Sequence, residues 1–339
     1  MSIRALQRPA PAGLHAGAPL TRLASVGQVY ALVAADMEAS EKSLDELLGE
    51  TIPAVSEIGR YLAASGGKRV RPLLTALGAR AVGFEGPVDR MMCAGELAHL
   101  GSLLHDDVVD DSLERRGRPT AQQVFTNPGV ILTGDFCVAT AMTIAAEEGG
   151  LDAVLTLART VQLMSEGEVS QLLNRGNLDL SLSAYHDVIQ KKSAALIAWC
   201  VSVGARKVGD QVAVEALERF GNSIGIAFQI TDDVLDYTGD RALTGKRVGQ
   251  DLLERKLTLP LLLAFDRNPA LRERLATPPT PAELPELLEL VRASGAPEAA
   301  LAEARVRVEA GITALKVLPD SPTRSGLITL AHYLVERAS

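Results

Sequence analysis

Residues 103–111 read Leu-Leu-His-Asp-Asp-Val-Val-Asp-Asp, and residues 228–236 read Phe-Gln-Ile-Thr-Asp-Asp-Val-Leu-Asp. Each stretch holds two adjacent aspartates, two apolar residues and a third aspartate. On a helix, Asp106 and Asp110 stand one turn apart on the same face, as do Asp232 and Asp236. Like charges stacked in this way destabilise an isolated helix. The arrangement makes sense if cations sit between the two faces.

Hard cations such as Mg²⁺ prefer carboxylate oxygens, keep several waters and complete their shell with substrate phosphates. Two facing helices, each with such a pair, suit several Mg²⁺ around one diphosphate. Asp107 and Asp233 lie about 100° round from those faces and serve as extra ligands or as support for the ligands. The plainer reading of one acidic cluster is a solvated surface or a helix cap. The apolar flanks Leu103, Leu104, Ile226, Phe228 and Ile230 argue against it here.

Basic residues complete the pattern. Residues 66–72 run Gly-Gly-Lys-Arg-Val-Arg-Pro: a glycine turn, three cations, and a proline suited to open a helix. A glycine loop ahead of a helix N-terminus, with Lys and Arg beside it, is a reasonable diphosphate cradle, although a solvated basic turn has the same composition. Arg115, Arg116 and Arg118 follow the first aspartate motif, and Lys192 and Lys246 are further candidates. One phosphate site built on metal and another built on Arg and Lys alone imply two diphosphate-bearing substrates.

Around these motifs the chain reads as helix. Leu32, Met37, Leu44 and Leu48 recur close to a helical spacing, and turn signals such as Gly66-Gly67, Gly149-Gly150 and Gly176-Asn177 punctuate it at helical lengths. No convincing alternating strand pattern lies between them. Residues 268–285 read as a loop with a short helix. Of the 339 residues 47% are hydrophobic but only 4% aromatic, so the apolar content is mostly Ala, Leu and Val, which favours helices. The expectation is one all-α domain over 26–339 behind a flexible N-terminal tail, 1–25. That tail lacks acidic residues and carries Arg4, Arg8 and Arg22, which gives it a faint transit-peptide look. The formal charge of −8 makes nucleic acid a poor partner. Cys93, Cys137 and Cys200 are too widely spaced for a zinc knuckle and fit a reducing, cytoplasmic compartment. The longest apolar run, 194–205, is too short for a membrane span.

Five blocks in this order resemble the trans-isoprenyl diphosphate synthases, the polyprenyl synthetase family: residues 66–72, 103–120, 191–196, 228–240 and 245–264. The likeness covers roughly residues 30–339. It implies a single large helical bundle around a deep central cavity, usually a homodimer, and head-to-tail condensation of isopentenyl diphosphate with an allylic prenyl diphosphate. It also implies that Asp106, Asp107 and Asp110 bind Mg²⁺ with the allylic diphosphate, and that Asp232, Asp233 and Asp236 complete the metal cluster. Lys68, Arg71, His99 and Arg116 fall where the family binds isopentenyl diphosphate. Arg115, Lys192 and Lys246 fall at the allylic diphosphate, and Gln229 near the reacting carbons. Three departures stand out. Ser193 replaces the usual Thr, Glu254-Arg255-Lys256 replaces Glu-Gly-Lys so that the local turn is open to change, and 124–130 lacks a tryptophan often seen there.

Ala98, Gly101 and Ser102 form a small-residue path leading back from Asp106, with no Phe or Tyr on it. The expectation is a tunnel that continues past the short-chain limit, towards medium or long lipophilic products. Small residues that merely let two helices approach are the alternative. A short-chain farnesyl or geranylgeranyl diphosphate synthase, a class I terpene cyclase, a non-catalytic partner subunit and an ion-binding helical scaffold are the rival readings. The second, metal-free diphosphate site counts against the cyclase, and two intact aspartate motifs count against the subunit.

Overall fold

The computed structural model describes residues 21–115, 117–239 and 248–336. The described residues are all-α apart from one hairpin of two-residue strands, β1 (Glu114–Arg115) paired antiparallel with β2 (Arg118–Pro119), which the sequence pattern did not suggest.

The helices are α1 (Val26–Leu32), α2 (Ala34–Gly49), α3 (Pro53–Ala63), α4 (Val70–Ala81), α5 (Asp89–Val109), α6 (Ala121–Val124), α7 (Asn127–Leu173), α8 (Leu182–Ile189) and α9 (Ala195–Val208). They continue as α10 (Gln211–Thr238), α11 (Gln250–Leu253), α12 (Leu259–Arg267), α13 (Pro269–Arg274), α14 (Leu284–Ala293), α15 (Ala296–Ala314) and α16 (Pro322–Glu336). Proline at the first or second position opens α3, α7, α12, α13, α14 and α15. There its missing N–H costs nothing and its fixed φ suits the helix. Between α8 and α9 the chain forms a π-helical turn, Gln190–Ala194.

The bundle centres on α4, α5, α9 and α10. Helix α5 packs on α7, α4 and α10 pack on α9, and α15 covers α10. The walls are Leu, Ala and Val with few rings: Leu73, Leu77, Leu97, Leu104, Leu217 and Val234 have no exposed surface. Each such leucine contributes about 1.5–3 kcal/mol by leaving water. Thr21 and Leu23, inside the expected tail, hydrogen-bond to Ser325 and Thr329 of α16.

Helix α7 contains an 18-residue window with mean hydropathy 1.6, which meets the length and composition of a membrane span as a core helix also can. Scattered Thr and Gly and a lone Asp135 hide it from a search for unbroken apolar runs. Its Val130, Cys137, Ala141 and Ile144 are buried, and 39% of the window is covered within the chain. At Gly150 (φ 72°, ψ −164°) the helix breaks, where the sequence carries a Gly-Gly turn signal.

Candidate active site

Both aspartate motifs occupy C-terminal helix ends. Asp106 and Asp107 lie in the last turn of α5, with Asp110 as its C-cap, and Asp232, Asp233 and Asp236 close α10. A helix C-terminus carries partial negative charge from its unpaired carbonyls, so carboxylates there are doubly unfavourable. Burial raises the Asp106 pKa to about 6 against the pull of Lys192, with Glu168 and Asp110 adding to the rise. Burial also lifts Asp233 to about 7, opposed by hydrogen bonds from Tyr185 and Gln229 and reinforced by Asp232 and Asp236. Such sites favour an incoming cation.

Each carboxylate has a specific neighbour. Asp107 has no exposed surface, and Arg115 donates Nε and Nη2 to its Oδ1 at 2.9 and 2.7 Å. Its Oδ2 is buried without a hydrogen-bond partner among the described residues. Arg115, expected at the allylic diphosphate, is therefore turned onto Asp107. Asp110 forms an ion pair with Arg175, and Lys256 Nζ lies 3.8 Å from it and 2.6 Å from Glu254. Asp236 accepts the backbone N–H groups of Gln250 and Asp251 at 3.2 and 2.9 Å, which caps the short α11.

The π-helical turn sends consecutive side chains to different helices. Lys192 pairs with Glu168 and donates to Gln171 Oε1 at 2.8 Å, both on α7. Ser193 donates to Gln229 Oε1 at 2.8 Å on α10. Gln229 donates to Asp233 Oδ1 at 2.8 Å, and the Tyr185 hydroxyl donates to Oδ2 at 2.6 Å. Gln171, Lys192, Gln229, Asp233, Asp251 and Lys256 line one cavity of about 140 Å³, whose apolar wall includes Leu180, Val188, Ile189 and Leu257. Two of its lysines reach towards the first motif: Lys192 attracts the Asp106 carboxylate, and Lys256 Nζ lies 3.8 Å from Asp110.

The 66–72 turn docks on α5. Arg69 (φ 44°) pairs with Glu41 and with the buried Glu96, each at 2.7 Å. Of the three cations, this one holds the turn in place. Lys68 is exposed, its carbonyl accepting the Tyr30 hydroxyl at 2.6 Å, while Arg71 and His99 are half-buried on α4 and α5. Tyr61 donates to the Pro119 carbonyl at 2.8 Å and so fastens the arginine hairpin to α3. Arg116 and Lys246 lie outside the described residues.

The three small residues of the path differ in their surroundings. A Cβ on Gly101 would stand 2.8 Å from both the Gly134 carbonyl oxygen and Val138 Cγ2, so Gly101 serves the close approach of α5 and α7. Ala98 is 1% exposed. Only Ser102, which donates to the His99 carbonyl at 2.8 Å, is half-buried. The second departure, Arg255, keeps a left-handed turn at φ 56°. A non-glycine residue there costs roughly 1–2 kcal/mol.

Sequence reasoning missed Glu168, Gln171, Arg175, Tyr185 and Asp251, and gave Lys256 no role. The spacing of 168, 171 and 175 follows one helical face and was the available signal. Tyr185 carried none.

The oxygen-rich donor set, with one orphaned carboxylate oxygen on Asp107, fits a hard divalent cation. Among the described residues no three His, Cys, Asp or Glu side chains converge into a closed cage. An ion that keeps waters and substrate oxygens needs none.

The polyprenyl synthetase family profile matches residues 52–290. The octaprenyl diphosphate synthase of Haemophilus influenzae is 36% identical over 323 residues, 93% of this chain and 98% of that protein. Heptaprenyl diphosphate synthase component 2 of Bacillus subtilis is 32% identical over 313 residues, 91% and 90% of the two chains. A crystal structure of polyprenyl synthase from Caulobacter crescentus, complexed with calcium and isoprenyl diphosphate, superposes with a TM-score of 0.88 at 36% identity, covering 93% of this chain and 98% of that one. With Asp233 of the second motif on the same cavity as Lys192 and Lys256, Lys256 reaching to 3.8 Å from Asp110 of the first, and likeness of this extent, the chain belongs to the polyprenyl synthetase family.

Proposed function

We propose that this chain is a Mg²⁺-dependent prenyltransferase that condenses isopentenyl diphosphate with an allylic prenyl diphosphate, head to tail, to a medium- or long-chain all-trans product. The observation that carries the reading is an apolar-walled cavity on which Asp233 of the second motif meets Lys192 and Lys256, with Lys256 Nζ 3.8 Å from Asp110 of the first. Product length rests on the likeness to the octaprenyl relative.

Asp106, Asp110 and Asp232 would hold the metal ions, with Asp107, Asp233 and Asp236 beside them. When bound, the ions neutralise charge on the departing diphosphate. Lys192, Lys256 and Arg175 add fixed positive charge to the same end of the site. Lys68, Arg71 and His99, with Arg116 and Lys246 as further candidates, hold the diphosphates that metal does not. The allylic C–O bond breaks, the alkene of isopentenyl diphosphate attacks the cation, and a proton leaves to the released diphosphate. Leu180, Val188, Ile189 and Leu257 keep water from the cation. Ser193, Gln229 and Tyr185 fix the orientation of Asp233.

We also place this chain in a cytoplasmic homodimer. Leu132, Leu155, Leu163, Val169 and Leu173 give α7 exposed apolar surface, and the three cysteines are buried free thiols. A second reading, a subunit that needs a different partner, is favoured by the likeness to heptaprenyl diphosphate synthase component 2.

The test is incubation of the purified single chain with isopentenyl diphosphate, farnesyl diphosphate and Mg²⁺, then chromatography of the dephosphorylated products. Elongated all-trans alcohols are expected. No condensation product from a folded, dimeric chain would count against catalysis by this chain alone.

A further inference from the structure

Gly176, just past α7, and Arg255, just past α11, are 79 residues apart and meet face to face. Both sit at positive φ, 72° and 56°. The Gly176 N–H donates to the Arg255 carbonyl at 2.9 Å. The Arg255 guanidinium lies where a side chain on Gly176 would be: a Cβ there would stand 2.7 Å from Cζ, 2.9 Å from Nη1 and 3.0 Å from Nη2. Nη2 also reaches the Gly176 carbonyl at 3.5 Å, the outer limit of a hydrogen bond.

The neighbours of this pair converge. Arg175 precedes Gly176 and pairs with Asp110; Lys256 follows Arg255 and lies 3.8 Å from the same carboxylate. Gln171 and Asn174 on one side, and Leu257 and Thr258 on the other, line the cavity. A glycine would hold the left-handed backbone at 255 without strain. The arginine accepts that strain, and what it adds is a planar cation seated on Gly176.

We propose that Arg255 is a positioning residue. Its side chain latches the 254–258 turn onto the end of α7 and thereby sets Arg175 and Lys256 against Asp110, tuning how tightly the site takes the cation and diphosphate together. The functional half of this inference rests on the reading of the site given above.

The test uses the full chain with Arg255→Gly and Arg255→Ala. Glycine removes strain and side chain together, whereas alanine keeps the strain and removes only the side chain. Both variants should raise half-saturating Mg²⁺ and the KM for the allylic diphosphate roughly tenfold, with the KM for isopentenyl diphosphate changing less than about twofold. Arg255→Gly should melt no lower than the parent chain, and exchange of the Gly176 amide should quicken in both. A general structural defect would lower kcat and melting temperature without moving the Mg²⁺ response. If Arg255→Gly matches the parent in Mg²⁺ response and in Gly176 exchange, the proposal is overturned; faster exchange with an unchanged Mg²⁺ response overturns its functional half. A parent chain without turnover would overturn the prenyltransferase reading instead. The latch would then be judged by exchange and by calorimetry of Mg²⁺ with inorganic pyrophosphate.

Discussion

The hydroxyl of Tyr185 donates to Oδ2 of Asp233 at 2.6 Å, and both side chains are buried. This bond stabilises the ionised carboxylate against the desolvation that lifts its pKa. Tyr185→Phe removes it and leaves the carboxylate the Gln229 amide, one turn back on α10, as donor. The loss should cost about 1–3 kcal/mol of stability, because a buried acceptor is left short of a partner. Turnover should fall by roughly tenfold, since the hydroxyl supports the charged form of one carboxylate in the site. Thermal melts and initial rates check both, and parent-like values in each would remove Tyr185 from the account.

The raised carboxyl pKa values make a prediction for the metal-free chain. Asp106 and Asp233 keep protons up to about pH 6 and 7 when folded, whereas their reference value is 3.8. Between about pH 4 and 7 the native state then binds more protons than the unfolded state, so stability falls as pH rises through that window. Asp251, also raised by burial and by Asp236 and Asp233, has the same sign. His186 and His332, lowered by burial, work the other way. The comparison is therefore made against Asp106→Asn and Asp233→Asn, which should flatten the fall. Melting in EDTA from pH 5 to 8 measures it, and adding Mg²⁺ with pyrophosphate at pH 8 should restore stability. Identical pH profiles for parent and variants would contradict these assignments.

Asp106→Asn separates stability from function. It removes a buried charge that crowds Glu168 and Asp110, so the metal-free chain should melt no lower than the parent at pH 8. Turnover should fall by about two orders of magnitude or more, as expected when a group that acts in the transition state is lost. Loss of stability and activity together would instead assign Asp106 a structural role.

These contrasts mark what a sequence can carry. Asp106, Asp110, Asp232 and Asp236 are legible because four-residue spacing on a helix is a local fact, and the apolar flanks show that the faces are covered. The all-α class is legible for the same reason. Glu168, Arg175 and Tyr185 are not, because each acquires meaning from a partner 24 to 65 residues away: Lys192, Asp110 and Asp233. The π-helical turn at 190–194 adds a residue that helical periodicity cannot show, and on it Lys192 turns to α7 and Ser193 to α10. Arg69 misleads for a related reason. Three cations within four residues look alike until the structure pairs Arg69 with Glu41 and Glu96.

That pairing gives Arg69→Ala and Lys68→Ala opposite signatures. Glu96 is 7% exposed, so deleting its partner strands a buried carboxylate, at a cost of about 3–5 kcal/mol. Lys68 is exposed and its side chain should matter little for stability. Lys68→Ala should melt like the parent while the KM for isopentenyl diphosphate rises. Arg69→Ala should melt far lower. Denaturant unfolding with steady-state kinetics reads both, and a reversed pattern would exchange their roles.

Gly101 and Ser102 divide the small-residue path into two experiments. Gly101 has a carbonyl oxygen of α7 against it, so Gly101→Phe must push α5 and α7 apart and should leave little folded protein. Ser102 is half-buried, and its hydroxyl hydrogen-bonds to the carbonyl one turn back, at His99. Ser102→Phe should fold, and if the growing chain passes Ser102 it should yield shorter alcohols after dephosphorylation, at a first-condensation rate close to the parent's. The two quantities are separable because the ring would stand one turn before Asp106, away from the metal-facing carboxylates. A folded Ser102→Phe chain with unchanged product length would mean that the hydrocarbon leaves the site by another route, between helices other than α5 and α7.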